Sequence, residues 1–503
     1  MERLNILSVI IFVPLLGAFA MLFLKSAKLH KKLRLAKSIA LLVSGFTLIS
    51  SINLLAFFES TSSEFQFVEK YSWLPQFGIN YIVGVDGISL FLVLLAAFLI
   101  FLAIVVSKAD IESSQAYFGM LLLLETGILG ALLALDGIAF YAFWGAMLIP
   151  IYFLISIWGG ENREEIARKF VIFSMAGSLM MLVAIIYLGV QTGMQLGEYS
   201  FLFSDWNQLQ LSVVQEVVLF VAFVLAFAIT MPIFPLHGWL RSVYVAAPTA
   251  VTIILACVLS KLGIYGLIRF CTPVFSQVVA LSLTTSIFIC LGCVTIIYGI
   301  LMAWRQTNLK SLLAYLSFSY MGFCVLGYGA MNIEGMQGAI LQMISHGLII
   351  AGLFLLVDSL HKRYGTYEIS EIQVSCKTMP IFSCLLLVFL LALAAFPLTS
   401  EFVSRLLILL AMFKSHYVFG LLATFGVVLC IVFVLSMYSR IVFGNGDAVA
   451  VASEQDKLLN SSRKELTIFV SLLILIFVIG IRPQPLFNVT DLSTRALLNL
   501  ENN

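Results

Sequence analysis

The chain alternates long apolar runs with short polar interruptions, and most runs are the length of a bilayer-crossing helix. Stretches of roughly 18–25 apolar residues predict fourteen helices, at 5–24, 38–58, 88–107, 115–134, 137–157, 169–190, 215–239, 246–268, 276–302, 309–330, 336–358, 379–413, 417–439 and 465–481. The expected fold is therefore an all-α polytopic membrane protein. The first run lacks a strongly basic start and a small-residue cleavage site, so it reads as a retained helix. The seventh and twelfth runs are long and interrupted by proline: "MPIFPLHGW" holds Pro232 and Pro235, and "AAFPLTSEF" holds Pro397. Proline removes a backbone donor and obstructs the preceding turn. Hydrocarbon offers the freed carbonyls nothing, so a break at this depth should face water or protein. Both breaks contain Phe-Pro-Leu, at 234–236 and 396–398, five helices apart. Interrupted helices at matching places in two inverted repeats point to a transport site at mid-membrane, although a three-residue match is also within the reach of chance.

Composition agrees with lipid: apolar residues make up 61% of 503 positions and charged residues 11%. Charge position says more than charge balance. Of 28 lysines and arginines, 20 fall at odd-numbered connections and helix ends and six on the opposite side. The positive-inside rule then puts both termini outside the cytoplasm. The other two, Lys261 and Arg405, lie inside helices, as do Glu125 and Glu401. Intramembrane charges are costly and mark ion paths or pairs. Cys290 and Cys293 form a C-x-x-C in a membrane helix with no second pair or nearby histidine, which does not make a metal centre. No glycine-rich nucleotide-binding motif is visible. The segment 56–80 reads as a polar–aromatic loop with Trp73 at the interface, and Ser453–Lys464 as a polar cytoplasmic linker.

The segments "YIVGVDGISLFLVLL" (81–95), "FWGAMLIPIYFLISIWGGENR" (143–163), "MPIFPLHGWLRSVYVAAPTAVTIILACVLSKLGIYGLIRF" (231–270), "NLKSLLAYLSFSYMGFCVLG" (308–327) and "QMISHGLIIAGLF" (342–354) together carry a resemblance. The chain resembles the subunit M family of NADH-quinone oxidoreductase, bacterial respiratory complex I. That family lies within the proton-conducting antiporter-like proteins, which include Mrp-type sodium/proton antiporter subunits. The resemblance implies fourteen helices, ten of them in two inverted five-helix repeats. Here these are 115–268 (helices 4–8) and 276–439 (helices 9–13), after helices 1–3 in 1–107 and before a cytoplasmic linker and last helix in 440–503. It implies broken helices 7 and 12 lining a hydrated path, and proton translocation driven by redox chemistry in partner subunits. It further implies no cofactor in this chain, other membrane subunits of a complex I-like assembly as partners, no nucleic acid, and a multi-pass place in the bacterial inner membrane.

The departures from the family pattern matter as much. An essential family glutamate in the fifth helix is Gly145 here, a lysine before Met-Pro in the seventh is Thr230, and a glutamate in the twelfth is Arg405, with Glu401 at a family glycine. A tenth-helix histidine is Tyr320. The eighth-helix lysine is kept as Lys261, and His237 and His346 also match. Gly and Thr cannot titrate, so the charge that would tune Lys261 is missing.

Each residue also has a plainer reading. Lys261 is a relay lysine or one satisfied by a carbonyl, and its depth argues against snorkelling. Glu401 and Arg405, four apart in the favourable order, are a structural ion pair or a rewired exit gate. Glu125 replaces the missing carboxylate or hydrogen-bonds a neighbour. His237 and His346 are relay groups or satisfied core histidines. Beside the complex I reading stand two others: an antiporter-like subunit of a cation/proton antiporter or inorganic-carbon uptake complex, and a non-pumping structural paralogue.

Overall fold

The computed structural model describes residues 5–24, 29–108, 111–372, 374, 379–443 and 463–498, apart from the side chains of 29–33 and 463. The expected linker from Ser453 to position 462 lies outside the described residues. Every stretch expected to cross the membrane holds a helix. Among the described residues twelve helices are long and apolar enough to span, and two shorter apolar ones, Ile6–Leu22 and Pro380–Leu393, take the first and twelfth places. Several starts follow from the sequence. Asp86 opens the third helix (Gly87–Val106) and Ser212 the first part of the seventh (Val213–Thr230), each with a reciprocal capping box. Asp136, Asn308 and Asn332 accept from the first free amides of the fifth (Gly137–Trp158), tenth (Leu309–Gly329) and eleventh (Ile333–Tyr364) helices. Such side chains supply the acceptors that the first turn lacks.

The seventh and twelfth helices are broken as expected. The seventh stops at Thr230 and helix resumes at Leu240–Ala246. The twelfth stops at Leu393 and resumes at Ser400–Ser415.

The chain forms two compact units. One comprises Met1–Met231, Ala246–Thr284 and Asn488–Asn503; the other comprises Pro232–Val245 and Thr285–Phe487. In the first, the fourth helix (Ser114–Leu133) packs on the first, third and fifth. The eighth, Thr249–Val274, is 100% buried in its most apolar window, against 33% for Arg34–Phe57 of the second helix. The two are almost equally apolar, as core helices and lipid-facing spans both can be, so burial rather than hydropathy separates the central helix from the peripheral one. In the second unit the eleventh helix has the same place, packed against the tenth and against Ser400–Ser415.

Two regions correct the sequence reading. The segment expected as a loop at 56–80 contains an antiparallel hairpin, Gln66–Leu74 paired with Ile79–Val85. Neither strand alternates: Gln66–Leu74 buries only Glu69, while Val68 is exposed, and Ile82–Val85 are buried in a row, so no period-two pattern marks the hairpin. The Glu69 carboxylate accepts from Leu7 N at 2.8 Å and Ser8 N at 3.0 Å. It caps the first helix, where free amides and the positive dipole end favour an acid. Gly78 turns the hairpin at φ 68°, and a Cβ there would lie 1.8 Å from the Tyr199 carbonyl oxygen. The second correction is a helix at Gln484–Leu497, beyond the last expected span. Its Ser493 Oγ accepts from Gly87 N at 3.2 Å.

Candidate functional site

Lys261 lies in the eighth helix and is 2% exposed. The helix is irregular on both sides of it, with π-helical turns at Leu255–Leu259 and Leu267–Cys271. Widened turns of this kind cluster at functional positions. Lys261 Nζ donates to the Ala256 carbonyl at 2.5 Å and to Ser260 Oγ at 3.2 Å, so the ammonium is held by its own helix. A cavity of about 10 Å³ between Lys261, Leu92, Leu95, Leu132 and Val258 adjoins it, about the smallest space that can hold one water. Two residues on, Gly263 lets the helix meet the broken seventh. A Cβ there would lie 2.6 Å from the Phe227 carbonyl oxygen and 2.8 Å from Met231 N. Thr230, the last residue before the break, returns its hydroxyl to the Ala226 carbonyl at 3.2 Å.

Gly145 faces open space. A Cβ there would meet nothing within 4 Å, and the residue lines a groove of about 440 Å³ walled by Tyr141, Leu148, Val171, Met175 and Leu179. Glu125 is fully buried, and neither carboxylate oxygen has a hydrogen-bond partner among the described residues. An ionised carboxylate in that setting is expensive, so the fourth helix does not present Glu125 as one half of an ion pair.

The first unit also contains a network that sequence reasoning missed. Arg269 counted as a basic residue beyond a helix end at 268, but the eighth helix runs to Val274 and Arg269 is 5% exposed. Its guanidinium pairs with Asp86, donates to Tyr265 Oη at 3.3 Å and lies 4.9 Å from the Phe65 ring centre. Tyr265 in turn donates to the Leu132 carbonyl at 2.8 Å. Burial pushes the Asp86 carboxyl up, but the Arg269 charge and hydrogen bonds outweigh it and hold the group below the usual carboxylate range. The available signal was the i, i+4, i+8 spacing of Lys261, Tyr265 and Arg269 on one helical face.

In the second unit, Pro232 and Pro235 hold the seventh-helix break open. Phe234 N donates there to Thr295 Oγ1 at 3.2 Å. His237 sits in an aromatic nest, with ring centres of Phe318 at 4.5 Å, Tyr298 at 5.2 Å and Phe234 at 6.0 Å. Its Nδ1 has no hydrogen-bond partner among the described residues.

The twelfth-helix break gathers most of the remaining residues. Around Pro397 the backbone turns through positive φ at Ala395 (59°) and Leu398 (76°), conformations that non-glycine residues adopt at a cost. Glu401 and Arg405 form a buried ion pair, Oε1 to Nε 3.3 Å, with side chains 0% and 2% exposed. Gln342 donates from Nε2 to the same Glu401 oxygen, and Ser404 Oγ donates to Gln342 Oε1 at 2.7 Å. Arg405 Nη2 reaches back across the break to the Leu393 carbonyl at 2.8 Å, which Tyr320 Oη also contacts as donor. The guanidinium stacks 4.5 Å from the Tyr320 ring centre and 4.8 Å from that of Phe323. His346, fully buried, stacks on the other partner of this set, Tyr320, at 5.2 Å. Glu401, Arg405, Tyr320 and His346 thus form one cluster. Gln342 and Ser404 belong to it and were not foreseen, because single polar residues in a helix carry no spacing signal.

Residues 134–430 match the family described as NADH:quinone oxidoreductase/Mrp antiporter, transmembrane. The NADH-ubiquinone oxidoreductase chain 4 of Chondrus crispus is 36% identical over 97% of this chain and 96% of its own length. The NADH-quinone oxidoreductase subunit M of Rhodobacter capsulatus is 36% identical over 99% of this chain and 97% of its own. Among solved structures, a chain of respiratory complex I from Thermus thermophilus with bound NADH superposes with a TM-score of 0.86 at 25% identity. That superposition covers 99% of this chain and all of that one.

Proposed function

The chain belongs to the NADH:quinone oxidoreductase/Mrp antiporter membrane family, and from that premise we propose that it is a membrane subunit of a complex I-type NADH-quinone oxidoreductase. It takes part in proton translocation coupled to electron transfer in partner subunits. The observation that carries this is the end-to-end match to relatives named subunit M or chain 4, at 36% identity over 97–99% of the chain. Its partners are the other membrane subunits of that assembly, and its place is the bacterial cell membrane, crossed many times. Its own work is transport. Lys261 is the relay this reading favours: a deeply buried amine with polar contacts, beside irregular helix and a cavity of about 10 Å³. His237 and His346 line the same function in the second unit.

A second reading, a non-pumping paralogue that holds a place in the complex, has specific support. Gly145 and Thr230 carry no titratable group, and Arg405 is a cation already committed to Glu401 and the Leu393 carbonyl. Arginine does not release its proton in proteins. The test of membership is isolation of the native assembly through a tag on this chain, followed by identification of its subunits. NADH-oxidising and quinone-site subunits should co-purify. An assembly without any electron-transfer subunit overturns the proposal.

A further inference from the structure

Among the described residues the seventh and twelfth helices break within runs expected to cross the membrane, and the twelfth treats its free carbonyl in an unusual way. The last carbonyls of a helix have no intrahelical partner, and at membrane depth they must find protein donors or water. The Leu393 carbonyl receives two protein donors, Arg405 Nη2 at 2.8 Å and the Tyr320 hydroxyl. A carbonyl oxygen has two lone pairs, so both are taken. The surroundings are closed as well. Tyr320 and Phe323 stack on the guanidinium, Tyr320 Oη lies 3.0 Å from Cys430 Sγ, and Gln342 and Ser404 occupy the acid side of the pair.

An ion pair made only to neutralise two buried charges would need Glu401 and Arg405, which share one helical segment. Arg405 does more. It reaches twelve residues back, from Ser400–Ser415 to the end of Pro380–Leu393, and joins the two halves of the broken helix.

We propose that Arg405 and Tyr320 form a proton seal across the twelfth-helix break: a fixed guanidinium and a phenol take the carbonyl and the space that a chain of water would need. A permanent cation at this point also repels an arriving proton, and Glu401 offsets that charge only on one side. The seal deepens the functional reading above, since it concerns how this chain handles protons in its complex. Its test needs no pumping, so the two can fail separately.

The native assembly is reconstituted in liposomes without NADH, a pH step is imposed with valinomycin and potassium clamping the potential, and proton entry is followed with internal pyranine. The charge-balanced double variant Glu401→Gln/Arg405→Met removes the guanidinium without stranding an acid. It should raise passive proton entry about tenfold, the kinetic equivalent of losing one hydrogen bond to a charged group. Tyr320→Phe keeps the ring and the charge pair and removes one donor, and it should raise entry about two- to threefold, from loss of one neutral hydrogen bond. Proton entry unchanged from the parent in an intact assembly overturns the seal. If the double variant fails to assemble, Tyr320→Phe decides alone, and unchanged entry there overturns it equally.

Discussion

At the level of single residues, what could be read from sequence was charge in the wrong solvent. Lys261, Glu125, Glu401 and Arg405 stood out because each is ionisable inside an apolar run, and all four are buried. The four-residue spacing of Glu401 and Arg405 gave their pairing. What spacing could not give was the third partner, since a backbone carbonyl has no letter in the sequence. The Leu393 oxygen and the residues that meet it across helices became visible only in three dimensions. Arg269 escaped for a different reason: its helix was ended six residues early, so a buried cation was counted as an interfacial one. Its pair with Asp86 yields a prediction. Asp86→Asn leaves the Arg269 charge buried without its counter-ion, which costs about 3–5 kcal/mol. The thermal transition of the purified assembly should fall, and Asp86→Asn with Arg269→Met should recover part of the loss. The pH dependence follows from the depressed Asp86 pKa. The pair's contribution is present above the carboxyl's unfolded value, near 4, and is lost as pH falls through the lower folded value. The variant should therefore flatten the acid limb of stability, and an unaltered limb would contradict the assignment. Lys261→Ala makes a second prediction. It removes the amine from the Ala256 carbonyl but leaves helix propensity intact, so assembly should persist while any proton flux through this chain drops to background. Unchanged flux counts against Lys261 as the relay.

At the level of elements, hydrophobic run length found the spans seen among the described residues, and Pro232 with Pro235 marked one break and Pro397 the other. It failed where the pattern was not apolar. The hairpin faces an acid inward, and the helix Gln484–Leu497 is amphipathic, so neither resembles a spanning run. The π turns flanking Lys261 have no sequence signature, because they depend on how the buried eighth helix meets its neighbours. The breaks also depend on residues far away in sequence. Gly480, in the fourteenth helix (Lys464–Ile481), would place a Cβ 2.2 Å from the Leu398 carbonyl oxygen and 2.6 Å from Ser400 N. Both contacts are to backbone, so a side chain cannot be accommodated by a rotamer change. Gly480→Leu should push the fourteenth helix off the twelfth-helix break and destabilise the protein by about 2 kcal/mol or more, as overpacking does. Gly145→Ala, where nothing lies within 4 Å, serves as the control and should be neutral. Equal thermal transitions for the two variants would show that the close approach at Gly480 is not tight.

At the level of the whole molecule, the basic asymmetry, 20 to six in the sequence and 20 to five once the buried Arg269 is set aside, predicts both termini outside the cytoplasm. A cysteine at Glu161, between the fifth and sixth helices, should therefore react only from the cytoplasmic side. One at Trp73, on the hairpin, should react only from the outside, and the reverse pattern would sink the topology. The larger question is whether a chain built on this plan moves protons. A path needs groups that gain and lose protons near the operating pH, and three positions where the family resemblance expects such groups are Gly145, Thr230 and Arg405. The structure makes a restoration test feasible. Gly145 has open space for a larger side chain, although the groove around it is apolar, and among the described residues the Thr230 hydroxyl bonds only to a carbonyl of its own helix. Arg405 is the difficult member. Arg405→Glu alone would set two acids four apart on one helix, an unfavourable pair, in a buried site. It must therefore be made together with Glu401→Gln. The hypothesis is that the native chain translocates poorly, because Lys261 has no charge switch and the twelfth-helix break is occupied by a fixed cation. Combining Gly145→Glu, Thr230→Lys, Glu401→Gln and Arg405→Glu should then raise protons pumped per electron in inverted membrane vesicles, while NADH oxidation per complex stays the same. If the unmodified assembly shows no deficit that these changes relieve, and Lys261→Ala nonetheless abolishes its share of pumping, the hypothesis is wrong. Glu125, buried without a hydrogen-bond partner among the described residues, then becomes the first carboxylate to test as the substitute.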